Sequence, residues 1–391
     1  MDKAQRTEVA GKKSSALEQY LYRVITNKPG LPAALLRVLL AALAPVYCIG
    51  LEAFLLPYRL GVRKRYRLGC PVICIGNLTT GGTGKTPMTQ AVCRMLLAAG
   101  LQPAVLSRGY GGQNEYGCAI ASDRDGVMLN AAQAGDEAYL LATTLPGVPV
   151  VVGKDRRVTG KLAFDKFQPD VIVLDDGMQF WQLHRDLDVI LLNAARPFDN
   201  GYTFPRGLLR EPVSHLRRAG VVVVTGADET DLLTVQRTLD HAAKVAPGVP
   251  IFTGSLKPVN LRRISDGVEY SPDWIRNRRL ASVCAIGNPG AFEDMLRSLH
   301  AEVEPRYRFR DHEAVSCEEL SRVVQDSVSN GVDALITTEK DAVRLDFSSD
   351  EIPVMTLGVE MALNNTQEFQ TIIVGVTLGK FDRAESRKID V

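Results

Sequence analysis

Short apolar runs alternate with segments of helical period along most of the chain, and this alternation predicts an open α/β sheet. The apolar run at residues 72–75 leads into a glycine-rich turn and then into helical periodicity over about residues 88–99. Further strands are predicted at residues 104–106, 148–152, 171–176, 189–192, 221–225, 251–254, 281–286, 334–337 and 354–357. The fold class that follows is α/β.

A polar stretch at residues 257–279 divides this pattern into two parts. It contains prolines, a glycine and five arginines, a composition typical of a domain boundary. A chain of 391 residues is long enough for two separate cores. We therefore predict a first domain at residues 68–256, a linker at 257–279 and a second, smaller α/β domain at 280–391.

An apolar segment at residues 31–60 follows a polar N-terminal extension at residues 1–30. Its longest uncharged span, residues 38–51, is shorter than the roughly 20 residues that a spanning helix needs, and Pro45 interrupts it. A basic cluster comes directly afterwards, at Arg59, Arg63, Lys64, Arg65 and Arg67. We predict that residues 31–67 form a membrane-associating helical segment on the anionic cytoplasmic leaflet. A helix packed on the soluble core and a true transmembrane span are the alternatives.

The sequence VICIGNLTTGGTGKTP at residues 72–87 has the form of a buried strand that leads into a phosphate-binding loop. Glycines let backbone N–H groups face anionic oxygens, while Lys85 supplies a positive charge and Thr86 a hydroxyl for Mg²⁺. Thr79 departs from the strict G-x-x-x-x-G-K-[ST] pattern, so a plain glycine-rich turn is the alternative. The predicted nucleotide-binding residues are Thr79, Thr80, Gly81, Gly82, Thr83, Gly84, Lys85 and Thr86. The first domain is thus predicted to be a three-layer, P-loop NTPase-like domain.

Two pairs of adjacent carboxylates in this domain are further candidates for the site. Asp175 and Asp176 end an apolar strand, which is where the second magnesium-binding element of a P-loop enzyme lies. Asp136 and Glu137 open a helical segment, where they either cap the helix or bind Mg²⁺ and take a proton from an attacking hydroxyl. We predict Thr86, Glu137, Asp175 and Asp176 as metal ligands.

Other polar side chains lie in loops. Arg108 and Arg210 are candidates for phosphate contacts, although a surface turn accounts equally for Arg108. Gln179 either orients a substrate or water or is a structural amide. His312 would orient a carboxylate base only if the second domain closes over the first. The charged residues 154–157 are interpreted as a solvated helix start.

Composition narrows the choice of partners. The net charge of +1 gives no overall field that would favour nucleic acid. The seven cysteines are odd in number and scattered, and none forms a C-x-x-C pair with a downstream pair of histidines. This usage indicates a reducing compartment and argues against a disulfide framework or a zinc site.

Taken together, the motifs resemble those of the lipid A 4′-kinases (tetraacyldisaccharide 4′-kinases) over about residues 32–357. The matching motifs, in chain order, are GNLTTGGTGKTP, LSRGYGG, GDEAYLLA, LDDGMQ, RDLDVI, PRGLLREP, AIGNPGAFEDML, FRDHE and LITTEKDAVRL. The resemblance implies a P-loop domain, a smaller α/β domain and a cleft between them. It also implies transfer of the γ-phosphate of ATP to the 4′-hydroxyl of a tetraacyldisaccharide 1-phosphate, at the cytoplasmic face of the bacterial inner membrane.

By the family pattern, Asp136 falls on the proton acceptor and His312 on its dyad partner. Asp175, Asp176, Gln179, Arg210 and Glu211 fall on active-site positions, and Lys85 with Thr86 on the phosphate and metal site. One departure is Phe180, which stands where the family usually has histidine. The hypothesis is therefore an MgATP-dependent lipid kinase. A membrane P-loop ATPase switch or partitioning protein, and a nucleotide-binding scaffold without chemistry, are the rivals.

Overall fold

The computed structural model describes residues 20, 24, 25, 30–309, 315–344, 349 and 351–379. The strands are β1 Val72–Asn77, β2 Pro103–Ser107, β3 Ala119–Ser122, β4 Val150–Val152, β5 Val171–Asp175, β6 Leu187–Asn193, β7 Val221–Thr225, β8 Ile251–Arg263, β9 Glu269–Tyr270, β10 Arg279–Cys284, β11 Glu302–Arg308, β12 Ala334–Thr338 and β13 Val354–Leu363. The α-helices are α1 Leu31–Arg59, α2 Lys85–Ala98, α3 Ala131–Ala134, α4 Asp136–Thr144, α5 Arg156–Phe167, α6 Leu232–Val245, α7 Pro289–Ser298, α8 Cys317–Ser329, α9 Glu339–Ala342 and α10 Thr366–Thr377.

All the strands belong to one sheet, in the order β11-β10-β12-β13-β8-β7-β6-β1-β5-β2-β4-β3, with β9 paired to β8. From β8 to β4 the neighbouring strands are parallel, as are those from β13 to β11. The two parallel halves run in opposite directions because β8 and β13 pair antiparallel. The α/β class predicted from the alternating pattern is confirmed.

Each half of the sheet is covered on both faces. Along β1, Ile73 and Ile75 pack into one apolar cluster, with Met88 of α2. Val72 and Cys74 point to the opposite face, into a different cluster. Because side chains alternate across a strand, this division places β1 inside a three-layer sandwich, as the sequence predicted.

The predicted linker, residues 257–279, contains regular structure. Its first part continues β8 to Arg263, and its remainder includes β9 and the 3₁₀ helix Pro272–Ile275. The extension of β8 carries the chain from one half of the sheet to the other. The division into domains at this point stays a prediction.

The N-terminal helix α1 is long and uninterrupted. It runs through Pro45 and Pro57, so the predicted break at Pro45 is wrong; the loss of single backbone hydrogen bonds is tolerated within an otherwise apolar helix of 29 residues. Within the part of the chain that the structure describes, it is the helix with the length and composition to cross a membrane. Only 11% of its apolar 18-residue stretch is buried. Most of its side chains therefore face outward.

Candidate functional site

The P-loop connects the end of β1 to the start of α2. Gly84 precedes the first helical residue, Lys85, and has a φ of +77°, a conformation that residues with a Cβ rarely adopt. No side chain of the described residues caps this helix end. The buried Thr83 hydroxyl has no hydrogen-bond partner there either. Unsatisfied donors at a helix N-terminus fit the oxygens of a phosphate chain.

The first residues of the predicted loop have another role. Thr80 donates its backbone N–H to the carbonyl of Leu208 at 2.8 Å, and Thr79 forms an isolated bridge with Leu209. The P-loop is thereby tied to the loop that carries Arg210. Gly81 and Gly82 have open space where a Cβ would stand, so this part of the loop is accessible to a ligand.

Lys85 projects towards the ends of the adjacent strands. Its Nζ donates to Oδ1 of Asn77 at 3.3 Å and lies 3.9 Å from Oδ2 of Asp176. β1 pairs with β5 on one side and with β6 on the other, so strands that follow β1 in the chain lie on both sides of it. Ligands of open α/β sheets bind outside the carboxyl ends of strands at such a crossover.

Asp175 ends β5 and is 2% exposed. Its Oδ1 accepts a hydrogen bond from Thr89 of α2 at 3.1 Å. Burial, reinforced by the nearby charges of Glu137 and Asp176, raises the pKa of Asp175 to about 7. Glu137 and Asp176 thus add to the cost of keeping Asp175 charged, a cost that a nearby cation would reduce.

Asp176 is held by cations. Arg210 Nη1 lies 2.9 Å from its Oδ1 and 3.0 Å from its Oδ2. Burial would raise the pKa of Asp176, but the charges of Lys85 and Arg210 outweigh it and hold that pKa below its usual range. The adjacent Asp175 and Asp176 thus have pKa values shifted in opposite directions.

Gln179 and Glu211 complete this side of the site. Gln179 accepts from Arg210 Nη1 at 3.1 Å and donates to Glu211 Oε1 at 3.3 Å. Glu211 is 1% exposed and is paired with Arg218 at 2.5 Å. The four residues Asp176, Gln179, Arg210 and Glu211, predicted from separate motifs, form one hydrogen-bonded row.

Asp136 and Glu137 begin another element, α4, and the charge of Glu137 acts on Asp175. The N-cap of α4 is Gly135, and Asp136 is the first helical residue, so its carboxylate does not cap the helix. It pairs instead with Arg344, which follows α9. Glu137 lies 3.7 Å from Lys340. Side chains from the second half of the sheet thus contact both acids.

Gly135 fixes where these acids stand. Its φ is +84°, and a Cβ there would lie 2.8 Å from the backbone of Gly109 and Tyr110. The SRGYGG loop therefore packs directly on the start of α4. Arg108 of that loop donates to Glu115 at 2.8 Å. Its position as a phosphate contact stays a prediction.

Sequence reasoning missed several residues of the site. The interpretation of residues 154–157 as a solvated face is wrong for Arg156, which is 4% exposed and donates to the carbonyls of Gly153 and Lys154. Its charge acts on Asp175 and Asp176. No signal in the sequence distinguishes Arg156 from the charged residues beside it. Arg344 and Lys340, paired with the acids of α4, had no local signal beyond their presence in LITTEKDAVRL.

His312 lies outside the described residues. Within the described ranges, no group of three or more His, Cys, Asp or Glu side chains is arranged to hold a metal by itself. The donors present fit Mg²⁺ differently, because this ion keeps several waters and binds through one or two carboxylates together with phosphate oxygens. Asp175 and Asp176 beside an open P-loop match that requirement.

Comparison with known proteins agrees with this arrangement. The sequence model of the tetraacyldisaccharide-1-P 4′-kinases (LpxK) matches residues 36–377. The tetraacyldisaccharide 4′-kinase of Geobacter metallireducens is 38% identical over 342 residues, which cover 87% of this chain and 98% of the relative. That of Syntrophus aciditrophicus is 35% identical over 346 residues, which cover 84% and 92%.

A solved structure supports the same assignment. LpxK from Aquifex aeolicus, in complex with ATP, superposes with a TM-score of 0.70 at 29% identity, covering 88% of this chain and 99% of that protein. Sequence and fold thus agree over most of the length of both proteins. The chain belongs to the tetraacyldisaccharide-1-P 4′-kinase family.

Proposed function

We propose that this protein transfers the γ-phosphate of ATP to the 4′-hydroxyl of a tetraacyldisaccharide 1-phosphate, in lipid A biosynthesis. The relatives that match over most of their length carry this activity in their names, and the Aquifex aeolicus protein binds ATP. The observation that carries the proposal is the approach of Lys85 to Asp176 where β1 and β5 end, with Glu137 of α4 close enough for its charge to act on Asp175.

The phosphates of ATP would lie along residues 81–86. The free N–H groups at the start of α2 and the buried Thr83 hydroxyl supply donors. Lys85 supplies a positive charge that stabilises the negative charge developing on the transferred group in the transition state. Thr79 and Thr80 hold the loop against residues 208–209. Positioning and charge stabilisation of this kind account for most of the catalysis of phosphoryl transfer.

Mg²⁺ would be held by the four predicted ligands Thr86, Glu137, Asp175 and Asp176, which offer the oxygen donors that this ion prefers. When bound, the ion would supply positive charge that neutralises the negative charge developing on the phosphates. The raised pKa of Asp175 fits this assignment, because its carboxylate is destabilised by burial and by Glu137 and would be stabilised by a cation.

Asp136 is proposed as the general base. As the 4′-oxygen forms a bond to the γ-phosphorus, the bond between that phosphorus and the β–γ bridging oxygen breaks, and ADP leaves with the electron pair. The proton of the hydroxyl passes to the Asp136 carboxylate. Arg344 contacts this carboxylate and would fix its direction. His312 is the proposed dyad partner.

Helix α1 is proposed to place the enzyme at the cytoplasmic surface of the inner membrane. Leu35, Val38 and Ile49 are exposed on it, and a solvent-facing apolar helix of this length is an interaction surface for lipid. The substrate carries four acyl chains by its name, so an enzyme seated on the bilayer meets the sugar hydroxyl at the membrane surface.

The test is an incubation of the purified full chain, in mixed micelles, with radiolabelled ATP, Mg²⁺ and tetraacyldisaccharide 1-phosphate. We expect a bisphosphorylated lipid from the wild type and none from Lys85→Ala. Lys161→Ala is the matched control, because Lys161 is an exposed lysine paired with Asp165. Absence of product from active, ATP-binding protein would overturn the proposal.

The rival function is nucleotide hydrolysis by a membrane switch or partitioning ATPase. It predicts ADP release at the same rate with and without the lipid acceptor. The kinase predicts that ADP release requires the acceptor and equals lipid phosphorylation in amount.

A further inference from the structure

Helix α1 presents an apolar surface, and its C-terminal half also makes polar contacts. These contacts reach residues 203–215, the segment that carries Arg210. The Tyr47 hydroxyl donates to the carbonyl of Arg210 at 2.8 Å. Cys48 Sγ lies 3.2 Å from the hydroxyl of Thr203. One turn further along, Glu52 Oε1 lies 2.7 Å from Nε2 of His215. The helix therefore contacts the loop of residues 203–215 at three places.

His215 is the link between α1 and the interior. Its Nδ1 lies 2.7 Å from Glu211 Oε2, so the two ring nitrogens face carboxylates on opposite sides. The side chain is 8% exposed, and its ring packs edge-on against Trp181 at 6.2 Å. Arg59 contacts Glu52 at 2.5 Å and holds it in this position. Arg59 Nη2 lies 3.0 Å from the same Nε2, so contacts on both sides of the ring leave it little freedom to rotate.

The contacts continue from Glu211 to the phosphate site. Glu211 accepts from Gln179 at 3.3 Å, Gln179 accepts from Arg210 at 3.1 Å, and Arg210 binds Asp176 at 2.9 Å. Asp176 in turn lies 3.9 Å from Nζ of Lys85. The backbone supports this path, because Arg210 donates its N–H to the carbonyl of Leu78 at 2.7 Å, directly before the P-loop.

We propose that His215 is a positioning residue which, by bridging Glu52 to Glu211, makes the geometry of the phosphate site depend on the seating of α1. The inference rests on the proposed kinase function and assigns a role to two residues outside its reacting groups. A helix held by lipid would keep Glu52 against His215 and the Arg210 loop in register with the P-loop. A displaced helix would release both. Small displacements of a catalytic group have large effects on rate.

Variants can cut the path at chosen points. In His215→Asn the shorter amide can still reach Glu211 but not Glu52, whereas His215→Ala breaks both contacts. Glu52→Ala removes the same contact between Glu52 and His215 from the other side, together with the contact between Glu52 and Arg59. Its side chain is 40% exposed, so this change leaves the core intact. His241→Ala is the matched control, because His241 is an exposed histidine on α6.

The experiment measures kcat and the KM values for ATP and acceptor with the full chain in anionic mixed micelles. We expect His215→Ala to lower kcat by roughly tenfold or more, and His215→Asn and Glu52→Ala to lower it by about threefold each, with the KM for ATP changed less than about twofold. The double variant Glu52→Ala/His215→Asn should resemble Glu52→Ala, since the contact between Glu52 and His215 is already lost in that single variant. His241→Ala should match the wild type.

The outcomes separate the two proposals. Product from the wild type, together with unchanged kcat in Glu52→Ala and His215→Asn, overturns the positioning role and leaves the kinase intact. Multiplicative losses in the double variant overturn the bridge. No product from the wild type overturns the kinase function, and this inference with it. Thermal unfolding checks each variant, and if His215→Ala fails to fold, Glu52→Ala and His215→Asn decide the question.

Discussion

The carboxylate of Asp136 pairs with the guanidinium of Arg344, a residue 208 positions further along the chain. Asp136 begins α4 in the first half of the sheet, whereas Arg344 follows α9 in the second. A second contact between the same two parts of the chain joins Glu137 to Lys340. The proposed base is therefore held by the opposite half of the molecule, and both halves are needed to complete the site.

Replacing Arg344 should slow catalysis without removing nucleotide binding. We expect Arg344→Ala to lower kcat by about 10- to 100-fold, because Asp136 loses the group that fixes its direction, with a smaller change in the KM for ATP. Arg344→Lys should restore part of the rate. Steady-state kinetics of lipid phosphorylation measure this. Arg322→Ala, on the exposed face of α8, is the control, and equal kcat values for the two alanine variants would show that the pair is only structural.

Asp136→Asn tests the base directly. The amide keeps the size of the side chain but cannot accept the proton, so kcat should fall by about 10²- to 10⁴-fold while the KM for the lipid stays close to that of the wild type. Asp165→Asn is the control, because Asp165 is an exposed aspartate paired with Lys161. Turnover of Asp136→Asn at the wild-type rate would remove Asp136 from this role.

Glu211 should contribute stability that depends on pH. Burial would raise its pKa, but hydrogen bonds from His215 and the charge of Arg218 outweigh burial and lower the pKa below the ordinary 4.5. The unfolded chain therefore binds the proton more readily than the folded chain. The contribution is fully present above about pH 4.5 and is lost as the pH falls through the lowered pKa of the folded state.

Glu211→Gln makes this measurable. At pH 7 the variant should be less stable by roughly 3–5 kcal/mol, because Arg218 and His215 lose a buried charged partner. The deficit should shrink between pH 5 and pH 3, while Glu318→Gln, on an exposed helix face, should show no such trend. Urea unfolding at several pH values gives the comparison. A deficit that stays constant with pH would contradict the assigned shift.

Much of the site could be predicted because it is encoded locally. Buried strands appear as apolar runs. Where such a run leads into Gly84-Lys85-Thr86 or ends in Asp175-Asp176, a few neighbouring residues are enough to predict a phosphate or metal site. The carboxyl ends of parallel strands then meet at one edge of the sheet. This is why the pattern predicts that Lys85 and Asp176 lie close together.

The remaining contacts could not be predicted because they depend on how distant segments pack. Arg344 reaches Asp136 only through the antiparallel pairing of β8 with β13, which local periodicity does not encode. Arg156 lies in a run of charges that is usually solvated, yet its side chain lies on the buried side of α5. Pro45 does not break α1, since proline costs one backbone hydrogen bond and a long helix can absorb that loss.

The outer face of α1 should determine whether the enzyme reaches its lipid. We expect replacement of Leu35, Val38 and Ile49 by serine to lower binding to anionic vesicles by at least about tenfold, because each apolar side chain gains roughly 1.5–3 kcal/mol when fully buried and part of that on interfacial contact. Vesicle flotation measures binding, and the KM for the acyl acceptor should rise in parallel.

Leu232→Ser/Leu233→Ser is the control, since these residues are as exposed but lie on α6. Because the substituted side chains point away from the loop of residues 203–215, ATP binding should be unaffected. Equal vesicle binding by the triple variant and the wild type would assign membrane attachment to another part of the chain.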